Sequence, residues 1–308
     1  MNIKKIRIII ICLLLTVFTS NAQQDEQSSL YMFNPLQFNP AFAGSRGYLN
    51  ASAVIRNQWV GINGAPQSQF LSVNSPLYFK NMAAGLHISN DIIGAKERTS
   101  IYGDYAYTLN LKNDYKLNLG LSLGCQQMVI DYNKLLALDP NETTILSNIS
   151  QFNFNSGVGA YYYSDKFYVG FSIPRFFQTK LTNNSVVLSN SYTKRHFFLA
   201  AGYVYPINSV IDLKTSVLLK AVANAPIIAD INANLFFYKK IWTGIMYRLN
   251  ESVGLNVAYQ IKESIMFGYA FDYPIGGLIT TKNAGSHEVM LTYSVNNHKK
   301  SYGSPRYF

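Results

Sequence analysis

From about residue 47 onward the chain alternates apolar and polar residues for most of its length. In KLNLGLSLGC, Leu117, Leu119, Leu121, Leu123 and Cys125 are interleaved with Asn118, Gly120, Ser122 and Gly124. In a strand this puts every large apolar side chain on one face. The same period of two sets Leu49, Ala51, Ala53 and Ile55 against Asn50, Ser52, Val54 and Arg56, and Met82, Ala84, Leu86 and Ile88 against Gly85, His87 and Ser89. It returns late, with Val253, Leu255, Val257, Tyr259 and Ile261 against Gly254, Asn256, Ala258 and Gln260. A soluble sandwich would turn its apolar face to a core and clothe the outside in Lys, Glu and Thr. Here the second face is Gly, Ala, Ser, Asn and Tyr, which suits a wall with lipid outside and a crowded, partly wet lumen inside.

The pattern predicts strands near 47–60, 67–78, 81–92, 98–111, 114–128, 151–163, 166–174, 193–205, 209–221, 226–238, 240–249, 252–262, 264–273 and 286–295. Most have the length that a tilted membrane-spanning strand needs. The number is even, and the links have a parity. One set is terse: Phe79-Lys80, Lys112-Asn113, Ser164-Asp165, Pro206-Ile207-Asn208, Lys239 and Lys262-Glu263. The other holds everything long: DYNKLLALDPNETTILSNIS, the stretch 175–192 and PIGGLITTKNAG. Short periplasmic turns alternating with long outer loops are the mark of an outer-membrane barrel with both ends in the periplasm. The expected fold is therefore all-β: a transmembrane outer-membrane β-barrel of about fourteen antiparallel strands.

The N-terminus adds an export signal. Lys4, Lys5 and Arg7 precede the apolar run from Ile8 to Phe18, and Ser20-Asn21-Ala22 offers the small-x-small pattern of signal peptidase. The run is shorter than a bilayer-spanning helix requires, so cleavage after Ala22 is expected, not a retained anchor. This divides the chain into a signal peptide (1–22), a periplasmic or lumenal N-terminal segment (23–46), the barrel (47–295) and a basic C-terminal tail (296–308). Cys12 leaves with the leader and Cys125 remains alone, so no internal disulfide is expected. Removing the three basic leader residues from 26 leaves 23 against 16 acidic ones, a mature net charge of +7. That charge fits attraction to an anionic membrane surface, and no basic cluster or nucleic-acid-binding module accompanies it. Only 14% of residues are charged while 14% are aromatic, a composition that favours a lipid-embedded barrel over a soluble domain.

Candidate chemistry is thin. His87 and Ser89 share a strand face, as a base and nucleophile would, but on the small, polar side instead of the side where lipid hydrolysis would occur. Asp104 and Asp272 also fall on lumen faces, where scattered charges that tune wetting are the plainer account. The four histidines, at 87, 196, 287 and 298, are too dispersed for a metal site, and no cofactor is expected. The sequons at Asn141 and Asn148 are ordinary in polar loops. Tyr102, Tyr161, Tyr163, Tyr168 and Phe198 point inward, which fits a filled, binding or scaffolding barrel better than a pore lined by rows of charge. A solute channel and an outer-membrane hydrolase are the alternatives.

Ahead of the first strand stands YMFNPLQFNPAFAG, residues 31–44. Each Asn before a proline is pushed to extended geometry, and prolines cannot donate to a sheet ladder, so this is not a wall strand. Its rings need burial, which packing into the lower lumen or across the periplasmic mouth would supply. The segment is expected to start on the periplasmic side, with Asn34 and Asn39 bonding local backbone as turn formers. A flexible tail is the alternative reading. Candidate plug or partner-binding residues are Tyr31, Phe33, Asn34, Pro35, Phe38, Asn39, Pro40 and Phe42, with Arg56, Gln58 and Trp59 of the following RNQW element.

The ordered elements NPAFAG, RNQW and GAP, with YYYSDKFYVGFSIP (161–174) and the ending SPRYF, resemble the PorP/SprF family of the type IX secretion system. The resemblance spans the mature chain. It implies a non-enzymatic outer-membrane barrel serving secretion, gliding or adhesin display in Bacteroidota. Its implied partners are outer-membrane lipid, ring or motor-linked proteins of the machinery, and a secreted adhesin with a C-terminal sorting domain.

Overall fold

The computed structural model describes residues 26–78, 81–131, 134, 148–183, 186–223, 225–275 and 282–295. The leader at 1–22, residues 23–25, the sequon at Asn141 and the tail at 296–308 lie outside the described residues. The strands are β1 (Leu49–Asn57), β2 (Gln67–Pro76), β3 (Met82–Ile93), β4 (Lys96–Asn110), β5 (Lys116–Ile130), β6 (Ile149–Tyr163) and β7 (Phe167–Ile173). There follow β8 (Lys180–Asn183), β9 (Val186–Tyr192), β10 (His196–Pro206), β11 (Ile211–Val222), β12 (Ile228–Phe237), β13 (Ile241–Arg248), β14 (Ser252–Lys262), β15 (Ile265–Pro274) and β16 (Ser286–Val295).

All but β8 and β9 form one closed antiparallel barrel of fourteen strands, each bonded to its neighbours in chain order, with β1 pairing β16 to complete the ring. Closure leaves no open edge for lipid to strand. All fourteen expected strands are present, near their expected bounds. The stretch 175–192, expected as loop, instead contains the hairpin β8–β9, closed by the pair Asn183 and Val186. A strand of four residues repeats a period of two only twice, too little to distinguish it from polar loop.

The two ends of the barrel differ. At the end where β1 begins, here the near end, the links are 77–81, 111–115, 164–166, 207–210, 238–240 and 263–264. At the far end they include 58–66, 131–148, 174–195 and 275–285. By the rule that outer-membrane barrels keep short turns inside and long loops outside, the far end faces outward. The near-end turn at Tyr238-Lys239 holds both residues at positive φ, 51° and 54°, the twist a two-residue hairpin needs.

The alternation sorts the side chains as expected. Leu123, Leu255 and Ile245 are over 60% exposed on the outer surface, while Asn118 and Asn234 between neighbouring strands are fully buried inside. Near the inner rim, Tyr115, Tyr162 and Phe167 form a ring cluster with centroids 5.6–5.8 Å apart, and Tyr203, Tyr205 and Tyr238 stand exposed beside it in height. Aromatic girdles of this kind sit at the membrane interface, where one end of each ring is apolar and the other wet.

Candidate functional site: the lumen and its N-terminal segment

Residues 26–46 occupy the inside of the barrel. The chain makes three single 3₁₀ turns, Tyr31–Phe33, Pro35–Gln37 and Pro40–Phe42. Two begin on a proline, whose fixed φ suits the first position of a turn and whose missing N–H costs nothing there. Asn39 before the second is at φ −135° and ψ 107°, the extended geometry that a following proline favours, whereas Asn34 before the first, at φ −141° and ψ 68°, leaves the helical region without becoming fully extended. Asn39 accepts a hydrogen bond from Ala41 N at 3.0 Å, as a turn former does. The Asn34 side chain, in contrast, turns away from the local backbone. Its amide donates instead to Ser72 Oγ on β2 at 3.2 Å, because the wall lies within reach.

Tyr31, Phe33, Phe38 and Phe42 are all buried, each against a wall aromatic or each other. Phe33 meets Trp242 edge-on at 5.6 Å, Phe38 stacks on Phe198 at 5.7 Å, and Phe42 meets Tyr161 edge-on at 5.6 Å. Burying a ring of this size stabilises by about 2 kcal/mol. Tyr31 places its hydroxyl 3.3 Å from both Ser216 Oγ and the carbonyl of Asp230, donating to one. Burial pushes its phenol up to about 12 against the partial compensation of the Ser216 bond. Tyr102, Tyr163 and Tyr168, expected to point inward, are buried there too. Lys214 sits with its ammonium 5.7 Å from the Phe33 ring and 5.5 Å from the Trp242 ring, a cation over two aromatic faces. Arg46 donates to the carbonyl of Phe33 and lies over the Phe42 ring.

Two wall glycines make the lower contact possible. A Cβ at Gly120 would stand 2.1 Å from Ala41 N, and one at Gly159 would stand 2.1 Å from Asn39 Oδ1. Backbone can approach backbone only where the side chain is missing. Asn118 then donates to the carbonyl of Ala41 at 3.0 Å, and Ser172 to that of Phe38 at 2.7 Å.

The upper part is held by charge. Arg56 on β1 bridges Asp272 at 2.7 Å and Glu288 at 3.2 Å, with all three side chains buried. Glu288 also accepts from Ser28 Oγ (2.6 Å), Ser29 N (2.7 Å) and Leu30 N (3.1 Å), and Asp272 from Ser29 Oγ (2.7 Å). Asp230 takes Lys220 at 2.7 Å and Arg248 at 2.8 Å, and Arg248 reaches Gln27 at 2.8 Å. Gln58 donates to Gln27 at 3.1 Å, and Arg98 to Glu26 at 3.0 Å. Beside this cluster, Glu26, Tyr31, Phe38, Arg175, Phe198 and Lys220 line a space of about 30 Å³, room for about one water.

These contacts correct the expected direction of the segment. Residues 26–29 bond residues near the ends of β1, β13 and β15 (Arg56, Arg248, Asp272) and near the starts of β4 and β16 (Arg98, Glu288), all at the far end. Gly44 bonds Asn74 near the other end. From Glu26 the segment therefore runs from the loop end down through the lumen to enter β1, and residue 26 does not lie at the periplasmic mouth. Of the RNQW residues, Arg56 and Gln58 join this array, whereas Trp59 lies in the outer loop at φ 46°, its N–H bonded to Ser286 Oγ at 3.3 Å.

The catalytic candidates do not converge. His87 Nδ1 bonds Asp104 Oδ2 at 2.8 Å, with its ring stacked on Phe70 and Tyr102, while Ser89 pairs with Ser100 Oγ at 2.7 Å. Asp104 and Asp272 serve separate clusters. Sequence reading missed Ser28, Ser29, Asp230, Arg248 and Glu288. Alternation places the last three on the lumen face, but their partners lie up to 260 residues away.

Among solved structures, the toluene transporter TbuX of Ralstonia pickettii is similar at 10% identity and TM-score 0.54, covering 88% of this chain and 94% of that one. A FadL homologue of Pseudomonas aeruginosa follows at 9% identity and TM-score 0.46, covering 89% and 96%. Omp33 of Acinetobacter baumannii stands at 9% and 0.45, covering 80% and 98%. The first of these likenesses supports the outer-membrane barrel fold, and at such identity it speaks of fold alone. No curated protein matches the sequence. The model of the type IX secretion system membrane protein PorP/SprF family matches residues 20–293, so a barrel of outer-membrane type, with the motifs that suggested this family at its entrance, belongs to the PorP/SprF family of type IX secretion membrane proteins.

Proposed function

We propose that this protein is a non-enzymatic docking barrel of the type IX machinery, binding a periplasmic ring component, the C-terminal sorting domain of a secreted adhesin, or both, for surface display. The observation that carries the reading is the filled lumen. A conducting pore needs continuous water, and residues 26–46 occupy that space with buried rings and bonded charges. What remains for function is the outer surface of the wall and the two ends, which are surfaces for proteins and lipid.

A solute channel is the second reading, drawn from the likeness to a barrel named as a toluene transporter. The 10% identity carries only the fold, and the lumenal segment argues against an open path. Deleting the gene separates the two. The docking reading expects loss of one adhesin from the cell surface with small-solute uptake unchanged. Intact display of every type IX cargo together with an uptake defect would transfer the assignment to the channel. Crosslinking in native outer membrane, followed by identification of what is carried with the barrel, names the partner.

A further inference from the structure

We infer that the outer third of the lumen is a binding site for peptide main chain, that its resident ligand is the protein's own N-terminal segment, and that it holds the start of that segment, Glu26, towards the outer opening of the barrel. The chemistry of Glu288 carries this. Arg56 faces two carboxylates, Asp272 and Glu288, so one guanidinium cannot satisfy both. The remaining acceptor capacity of Glu288 is met by two successive backbone N–H groups, Ser29 and Leu30, and by the hydroxyl of Ser28. A fully buried carboxylate that loses such donors is costly. The site is therefore shaped to receive main chain, with small hydroxyl residues just ahead of an aromatic.

The array does not stop at one residue. Glu26 is held by Arg98, Gln27 by Arg248 and Gln58, Ser28 by Glu288, and Ser29 by Asp272, Arg56 and Glu288. Each wall partner lies at the loop end of its strand or just beyond it. A chain gripped there and running inward to β1 has Glu26 directed towards the outer opening. This inference does not depend on which secretion partner the barrel serves.

The test uses the full-length protein with a short epitope inserted between Ala22 and Gln23, probed on intact cells with an impermeant antibody. The expected result is binding without permeabilising the outer membrane. An epitope reached only after permeabilisation would overturn the placement. The grip is read in the untagged protein by glutamyl endopeptidase added from outside, which cuts after Glu26 once the segment loosens. Glu288→Gln is expected to raise that cleavage rate at least tenfold, and the paired change Ser28→Ala, Ser29→Ala, which leaves the wall intact and guards against a Glu288 variant that fails to assemble, about threefold. Rates within twofold of the parent for the serine pair would sink the main-chain site.

Discussion

The phenol of Tyr31 lies between Ser216 and the carbonyl of Asp230, and burial moves its ionisation up to about 12, from an ordinary value of 10.0. In a segment released from the lumen the same phenol would titrate near its ordinary value. Docking is then at full strength below about pH 10 and weakens as the pH climbs towards 12, because the free form loses its proton first. The loss by the upper limit is about 2–3 kcal/mol. Alkaline titration of the segment's protease protection should show this decline, and Tyr31→Phe should remove it; an unchanged slope in the variant would contradict the assignment. At this scale the sequence was informative about burial and poor about partners. Four rings beside two prolines announced a packed segment, whereas the pairing of Ser28 with Glu288 depends on closure of the whole sheet.

Strands were the most legible elements, since lipid and lumen impose opposite demands on successive residues and the alternation follows directly. Where an element repeats that alternation only twice, as in β8, the signal fades into loop. Links were legible by their lengths, and they set a test. Cysteine introduced at Asn63 in the far-end link should react with an impermeant reagent on intact cells, while cysteine at Ser164 or Lys239 in near-end turns should react only after the outer membrane is opened. Labelling of the turns from outside would invert the barrel. The direction of the N-terminal segment was hidden for a different reason. Its turns are written locally by Pro35 and Pro40, but which end of the lumen receives residue 26 is decided by Arg98, Arg248 and Glu288 on strands distant in the chain.

For the molecule as a whole, a barrel and its lumenal segment are two bodies with one shared interface. The fourteen-strand ring is closed by its own ladder between β1 and β16, independent of what fills it. Deleting residues 23–44 should therefore leave a folded, heat-modifiable barrel that conducts ions in planar bilayers, where the full-length protein stays silent. A truncated form that is equally silent would mean that something other than the segment closes the lumen.

The ring closes at an informative place. Arg56 and Glu288 are directly opposite each other on β1 and β16, the first and last strands to be made, and Ser29 is bonded to both. The joint between the two ends of the sheet is thus made directly over Ser29 of the lumenal segment. The seam between β1 and β16 is also a fastening for the lumenal segment: the bonds that join the first strand to the last and the bonds that hold Ser29 share the same two side chains.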